Sequence, residues 1–314
     1  MRKLYSLKSL VALLLLTIVP SVSQAARGTE LLHLQKVQNN IYAIVGPFGN
    51  RTPENLGNNA TFGFVETEDG VVLIDSGGSK HGAAAIDKLI KKVTDKPVKV
   101  VINTGGQDHR WLGNGYFKEK GARIIASAAA VADQHERLQD QMFILGNLIG
   151  VKALEGTDPV YADETFAKQM SFTQGGVYFQ LKRVGPAHTP GDILVWLPKE
   201  KVVFTGDVVF VGRLLGVMSY SSSRHWLKAF EEMATLRPET VIPGHGPATD
   251  LTKAKSDTYD YLVFLRESVK GFIKAGKNMA RIGSLDQSRF QYLENFEMLK
   301  GHNAEQVSIE MEWE

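Results

Sequence analysis

The stretch VKVVINTGGQDHRWLGN, residues 98–114, joins a β-type run to a turn that is dense in chemically active side chains. The apolar residues at its start predict a buried strand. The turn has two adjacent glycines, which allow a tight backbone path, followed by Gln107, Asp108, His109 and Arg110. Polar side chains in a turn directly after a buried strand indicate a functional site at the end of that strand.

Three later apolar runs end in the same way. They carry His188 in VGPAHTPGD, Asp207 in VVFTGDVVF and His245 in VIPGHGP. Glycines beside these residues let the backbone turn sharply and bring the side chains together. For any one of these histidines alone, a structural hydrogen bond is the simpler interpretation. The joint pattern favours one shared site at the ends of several strands.

The order of predicted elements indicates the fold class. Short β-type runs between residues 31 and 74 predict an antiparallel sheet, after which strands and helices alternate. After residue 174 the pattern repeats, with strands first and helices afterwards. We expect an α/β protein in which two sheets pack face to face with helices outside. We assign residues 26–280 to this domain and residues 281–314 to a helical extension docked on it, and we make no prediction for segment 150–174.

The first 25 residues have the composition of a secretory signal peptide. Three basic residues precede an apolar run from Leu10 to Val19, and small residues lead to Ala25. The apolar run is shorter than the roughly 20 residues that a spanning helix needs, so cleavage near Ala25 is favoured over an uncleaved anchor. We therefore expect a periplasmic or secreted protein with no membrane attachment after cleavage.

Charge and cysteine content exclude several function classes. Removing the leader takes away three basic and no acidic residues, which changes the formal net charge from +2 to −1. A nearly neutral protein offers no overall electrostatic attraction to nucleic acid or to an anionic membrane. The absence of cysteine rules out disulfides and a thiolate nucleophile or metal ligand. The expected partner is a small-molecule substrate, and the sequence carries no signal for the oligomeric state.

Five motifs together resemble the metallo-β-lactamase superfamily over about residues 35–250. Each ends a strand, and they occur in the family order: IDSGG at 74–78, the turn at 103–114, PAHTPGD at 186–192, TGD at 205–207 and PGHG at 243–246. The resemblance implies a four-layer αββα sandwich whose loops at one sheet edge hold one or two metal ions, most often zinc and in some members iron. Asp75 matches the family's first Asp, which implies that it braces the metal-binding turn without binding metal.

A closer resemblance concerns the segment TGGQDHRWLGNGYF and the tail DQSRFQYLENFEMLKGHNAEQV. Both are similar to a group of exported superfamily members associated with sulfur oxidation or quinoprotein systems. This similarity implies that the altered turn belongs to a specialised group. It does not imply a substrate.

The second motif departs from the family pattern. The family has H-x-H-x-D-H where this chain has GGQDHR at 105–110. Aligned without a gap, Gly105 and Gln107 replace the first two histidines, so the first metal position keeps only His188 as a good ligand. We expect that position to be empty, with Gln107, like Asp75, supporting the site. In the same register His109 replaces the Asp and Arg110 replaces the last His.

Two registers remain open for this motif. A shift by one residue would instead place Asp108 and His109 on the family's final D-H, but we favour the ungapped register because such loops tolerate compensating shifts poorly. His109 belongs to the site in both. Arg110 cannot give up its proton to bind metal, so it either clamps an anionic part of the substrate or turns outward to a surface carboxylate.

We therefore predict an exported hydrolase with a single metal ion, zinc or alternatively iron, held by His109, Asp207 and His245. His188 either completes the ligand set or faces the substrate. The bound water would attack an ester, thioester, lactone or amide. A metal-free relative that binds a ligand or partner protein in the same cleft is the alternative, and an iron-dependent sulfur oxygenase ranks last because it needs the missing histidines. The residues expected to take part in catalysis are Asp108, His109, Arg110 and His188.

Overall fold

A computed structural model of the chain describes residues 31–312 and residue 314. The predicted signal peptide, residues 1–25, lies outside this described part. Among the described residues, no helix has both the length and the apolar character needed to cross a membrane.

The strands of the described chain form two sheets. The first has the spatial order β1 (His33–Lys36), β2 (Ile41–Val45), β3 (Thr61–Thr67), β4 (Gly70–Ile74), β5 (Val98–Asn103), β6 (Arg123–Ser127) and β7 (Glu164–Phe166). It is antiparallel up to β4 and parallel from β4 to β7. In the second sheet the strands lie side by side in the order in which they occur along the chain: β8 (Gln169–Gln174), β9 (Val177–Arg183), β10 (Ile193–Leu197), β11 (Val202–Phe204) and β12 (Thr240–Ile242). It is antiparallel except for the parallel pair β11 and β12.

Helices connect and cover these strands. In chain order the described α-helices are α1 (Lys80–Ile90), α2 (Asp108–Trp111), α3 (Asn114–Glu119), α4 (Ala128–Ile149), α5 (Val151–Leu154), α6 (Ser223–Thr235), α7 (Leu251–Ala254), α8 (Asp260–Lys274) and α9 (Phe296–Met311). Ser79, Ser127 and Ser222 cap the first turns of α1, α4 and α6, because each serine side chain accepts a backbone N–H there.

Side chains that point alternately to the two faces of each strand bury both faces of the sheets, and this produces four layers. In β2, Ile41 and Ala43 belong to the core between the two sheets, whereas Tyr42 and Ile44 pack into the core on the helix side. Because successive side chains point to opposite faces, a strand that is apolar at every position buries both faces. The second sheet is covered by α6, α8 and α9 in the same way, as Trp226, Leu262 and Val307 show. The predicted αββα sandwich is confirmed.

Segment 150–174, for which the sequence allowed no prediction, contains α5 and strands β7 and β8. β7 is only three residues long and pairs with the edge of the first sheet. β8 is the outer strand of the second sheet, and its residues alternate between exposed and half-buried. The segment therefore carries the chain from one sheet to the other, and strands this short give little periodic signal.

The C-terminal helices have two irregular features. The helical stretch from Leu251 to Lys274 contains a π-type segment, Lys255–Tyr259, between α7 and α8. The tail helix begins only at Phe296, because Asn295 adopts a left-handed backbone conformation (φ 63°) that turns the chain just before it. Phe290, Leu293 and Phe296 are nevertheless buried in the core beside the second sheet.

The loops after β4, β5, β11 and β12 meet at one edge of the sandwich. Backbone hydrogen bonds join the two sheets there: Thr61 N–H donates to Gly244 O at 2.7 Å, and Ile193 N–H donates to Thr104 O at 2.9 Å. These bonds fix the loops of the first sheet against those of the second. The candidate site lies at this edge.

Candidate functional site

His109, Asp207 and His245 come together at the edge where the two sheets meet. Each offers one ligand atom, these atoms lie within 4.8 Å of one another, and all three side chains are buried. His109 comes from α2, directly after β5 of the first sheet, whereas Asp207 and His245 follow β11 and β12 of the second. The group therefore exists only when both halves of the chain are folded together.

The two histidines present nitrogen lone pairs to Asp207. His245 Nδ1 lies 2.9 Å from Asn59 O, which can only accept, and 3.2 Å from Arg213 Nη1, which can only donate. We assign the proton to His245 Nδ1 from the shorter of the two contacts. Its Nε2 then faces Asp207 Oδ1 at 3.2 Å. His109 Nδ1 is 3.1 Å from Asp108 Oδ1, while its Nε2 lies 3.5 Å from Asp207 Oδ2 and has no hydrogen-bond partner among the described residues.

These contacts make a donor set that fits a metal ion. A carboxylate and neutral imidazole nitrogens facing one another are all electron-pair donors, and a cation between them satisfies all of them. A ligating histidine commonly donates its other N–H to a carboxylate or a carbonyl, as His109 and His245 do here toward Asp108 and Asn59. Burial, followed by the positive charge of Arg213, holds the pKa of His245 well below its ordinary value, which keeps the ring neutral.

Arg110 lies behind Asp207 and is completely buried. Its Nε and Nη2 donate to the two oxygens of Asp207 at 3.0 and 2.6 Å. Nη1 donates to Asp75 Oδ2 at 2.9 Å, and two backbone carbonyls, of Thr61 and Gly244, accept further bonds. Burial by itself raises the pKa of Asp207, but the Arg110 guanidinium together with His109 and His245 outweighs it and holds that pKa well below its usual range.

Neither sequence-based alternative for Arg110 is correct. The side chain does not turn outward to a surface carboxylate, and its donors are engaged by protein acceptors, so it cannot clamp a substrate anion. The physical reason is that two buried carboxylates, Asp75 and Asp207, need a cation and Arg110 is the residue between them. The two hydrogen bonds from Arg110 occupy one side of the Asp207 carboxylate. The remaining lone pairs of this carboxylate are directed to His109 and His245.

Asp75 supports the edge from the first sheet, as its place in the sequence suggests. It adopts a left-handed backbone conformation (φ 63°) after β4. Its two oxygens accept from Thr104 N at 2.7 Å and Thr104 Oγ1 at 2.8 Å. The carboxylate therefore ties the turn after β4 to the turn after β5, and it does not lie in the group of three.

Asp108 lies outside the group as well. Its Oδ1 accepts from Arg51 Nη2 at 2.7 Å and lies beside His109 Nδ1. This arrangement is the one expected from the ungapped alignment, in which His109 faces Asp207 and Arg110 occupies the next position. The shifted register would have required the Asp108 carboxylate to point at Asp207. In the structure it orients His109 from the opposite side.

His188 is close to the group but not part of it. Its Nδ1 donates to Gly216 O at 3.1 Å, and its ring lies among Phe210, Trp226 and Tyr220. Burial lowers the pKa of His188 to about 4, so the ring is neutral at pH 7 with the lone pair on Nε2. His188 is therefore outside the group of three, and its role toward a substrate stays a prediction.

The positions that replace two family histidines are filled by other contacts. A Cβ on Gly105 would meet Asp192 Oδ1 at 2.7 Å, so a carboxylate occupies that direction. Gln107 Oε1 accepts from the Tyr220 hydroxyl at 2.9 Å and lies 3.5 Å from Arg137 Nη1. Gln107 thus belongs to a polar network beside the cleft and has no contact with the group of three.

Sequence reasoning missed two arginines that lie against the site. Arg51 comes from the loop between β2 and β3 and contacts Asp108 and His109. Arg213 follows β11, and its Nη1 lies 3.2 Å from His245 Nδ1. Burial, and next the charge of Arg51, lowers the pKa of Arg213 to about 10. No sequence signal could have found them, because neither lies in a motif and the chain brings them to the site only through loop packing.

The matches to known proteins agree with this architecture. The family model described as "Metallo-beta-lactamase superfamily" matches residues 57–245. "Metallo-beta-lactamase type 2" of Elizabethkingia meningoseptica is 24% identical over 245 residues, covering 77% of this chain and 89% of that protein.

Solved structures show the same fold. A metallo-beta-lactamase from Pontibacter korlensis has a TM-score of 0.60 at 22% identity and covers 74% of this chain and 99% of its own. A double mutant of the sec-alkyl sulfatase PisA1 has a TM-score of 0.65 at 16% identity and covers 90% of this chain and 51% of its own.

Proposed function

Because the chain belongs to the metallo-β-lactamase superfamily, we propose that it is a hydrolase that holds one metal ion with His109, Asp207 and His245. The observation that carries the proposal is the buried Nε2 of His109, which has no hydrogen-bond partner among the described residues and faces Asp207. An unsatisfied buried acceptor is costly unless a ligand completes it. Zinc fits two imidazoles and a carboxylate, and iron accepts the same ligand types.

When bound, the metal would supply an acidified water and polarise the substrate carbonyl. The residues around it have separate tasks. Asp108 and Asn59 hold the two imidazoles in the tautomers that present Nε2, and Arg110 keeps Asp207 ionised. Hydrolysis then forms a bond from the water oxygen to the carbonyl carbon and breaks the bond to the leaving group, which takes up a proton.

His188 is proposed to face the substrate. Its neutral Nε2 can accept a hydrogen bond from the attacking water or from the substrate, since its Nδ1 is already engaged with Gly216 O. The aromatic rings around it exclude solvent from that side of the cleft. We propose an ester, thioester, lactone or amide as the substrate, in a protein that is exported after cleavage of its leader.

A metal-free binding protein is the second candidate. It is favoured by Arg110, which already provides Asp207 with a cation and adds a positive charge near any metal ion. The two candidates differ in one measurable property, the amount of metal bound by the folded protein.

The test is metal analysis of the purified protein beside two variants, His245→Ala and His302→Ala. His302 is exposed on α9 and serves as the matched control for loss of a histidine. We expect one zinc or iron per chain in the wild type and in His302→Ala, and a loss of most of it in His245→Ala. Turnover of esters should stop on chelation and return when the metal is added back.

The absence of stoichiometric metal from the wild type after incubation with zinc or iron would reject the metallohydrolase. It would leave the metal-free binding protein as the interpretation.

A further inference from the structure

Arg213 is a partly buried cation that has no carboxylate partner among the described residues. Among residues 31–312 and 314, no carboxylate lies within ion-pair distance of it, and its Nε is buried without a hydrogen-bond partner. Its Nη1 lies 3.2 Å from His245 Nδ1, but that nitrogen carries a proton toward Asn59 O and has no lone pair to offer. A guanidinium has five N–H donors, and the described residues accept no hydrogen bond from the buried Nε of Arg213.

Arg51 brings a second positive charge to the same place. Arg51 Nη2 lies 3.4 Å from His109 Nδ1, Arg213 Nη1 lies 3.2 Å from His245 Nδ1, and the two imidazole rings are 5.3 Å apart. The Nε and Nη2 of Arg51 both donate to one oxygen of Asp108, at 3.1 and 2.7 Å, which leaves Nη1 free of any described hydrogen bond. Asp108 balances the charge of Arg51, so the charge of Arg213 has no carboxylate partner among the described residues, and an unpaired, partly buried cation is costly unless an anion binds it.

The neighbouring arginines do not share this property. Arg110 is neutralised by Asp75 and Asp207, and Arg137 is paired through two nitrogens with Asp133 and stacked on Tyr220. The unpaired positive charge is therefore that of Arg213, beside His245, and Arg51 adds the free N–H groups of its Nη1.

We propose that Arg51 and Arg213 bind an oxyanionic group of the substrate, a carboxylate, sulfate or phosphate, next to the group formed by His109, Asp207 and His245. As a claim about the substrate, this rests on the proposed hydrolase function. As a claim about an anion site, it is independent of that function. The planar fork of arginine matches the oxygens of such groups, and arginine is fully charged at any physiological pH.

The first experiment measures anion binding to the chelator-treated protein, so that the anion cannot bind to a metal. Inorganic sulfate and inorganic phosphate are titrated by calorimetry and by thermal unfolding, with chloride at matched ionic strength as the reference. The variants are Arg213→Gln, Arg213→Lys and the control Arg281→Gln, which removes an exposed arginine far from the site. Because sulfate stabilises folded proteins in general, only the difference between variants counts.

We expect saturable binding of sulfate or phosphate to the wild type and to Arg281→Gln. Binding should weaken about tenfold or more in Arg213→Gln and by a smaller factor in Arg213→Lys, which keeps the charge but loses the fork. Equal binding to all four proteins, or no binding to the wild type, would overturn the proposal. Arg213→Lys keeps the test valid if Arg213→Gln does not fold.

The second experiment uses two 4-nitrophenyl esters on the metal-loaded protein, the neutral butyrate and the anionic monosuccinate. We expect Arg213→Gln to raise KM for the monosuccinate about tenfold more than KM for the butyrate. The same increase for both esters would contradict a role in anion recognition. If neither ester is hydrolysed but the anion still binds through Arg213, the hydrolase fails and the anion site stands.

Discussion

The buried guanidinium of Arg110 shows how one residue can set the chemistry of a site without touching a substrate. It pairs with both Asp75 and Asp207 and links the turn after β5 to the turn after β11. Removing one partner of a buried ion pair leaves an uncompensated charge, which is far more destabilising than the loss of a surface pair.

We expect Arg110→Gln to lower the free energy of unfolding of the metal-free protein by about 3–5 kcal/mol. Zinc should restore part of this loss, because a divalent cation beside Asp207 replaces the missing positive charge. Urea denaturation with and without zinc measures both effects, and Arg281→Gln should change stability by less than about 0.5 kcal/mol. Equal midpoints for Arg110→Gln and the wild type would show that Arg110 has no such role.

At the scale of elements, the site depends on how closely α4 approaches the loop before β10. Ser127 Oγ caps α4 and also donates to Gly191 O at 2.7 Å. A Cβ on Gly191 would lie 2.2 Å from Ala130 N, so only glycine allows this approach. The same loop carries His188. The packing of α4 on the first sheet thus positions His188, which the second sheet carries.

Gly191→Ala should therefore destabilise the protein by about 1–3 kcal/mol, since the loop and the first turn of α4 must separate. The matched control is Gly271→Ala on the exposed face of α8, where an added Cβ meets no atom within 4 Å. That control should raise stability by up to about 1 kcal/mol through helix propensity. Thermal and urea unfolding of both variants measure these changes in stability. An unchanged free energy of unfolding in Gly191→Ala would disprove the close packing.

At the scale of the whole molecule, burial of ionisable groups at the inter-sheet edge makes stability depend on pH. Burial raises the pKa of Asp192 to about 7, against hydrogen bonds from Thr189 that favour the ionised form. A carboxyl whose pKa is higher in the folded state holds its proton more firmly there. Its contribution is complete below its unfolded pKa of about 3.9 and is lost as the pH rises through about 7.

The difference in free energy of unfolding between the wild type and Asp192→Asn should therefore fall between pH 4 and pH 7. The steepest part should approach about 1.4 kcal/mol per pH unit, the value for one proton. Urea denaturation at a series of pH values provides the profile. Parallel profiles for the two proteins would mean that the pKa of Asp192 is the same in the folded and the unfolded state.

The sequence by itself determined the layers of this protein and the identity of the central site residues. Strands apolar at every position, such as Ile41–Val45, and helices with one apolar face can be buried only in stacked layers, and His109, Asp207 and His245 follow strand ends at fixed places in the chain. These are local properties, which periodicity and motif order express directly.

Only the tertiary structure decided where Arg110 points and which arginine of the site, Arg213, has no carboxylate partner among the described residues. Arg110 turns inward because Asp75 and Asp207, 35 and 97 residues away in sequence, approach it from the turns after β4 and β11. Arg51 and Arg213 meet beside His245 because the two sheets dock at one edge. Long-range charge pairing depends on distances between loops, and these distances exist only in the folded chain.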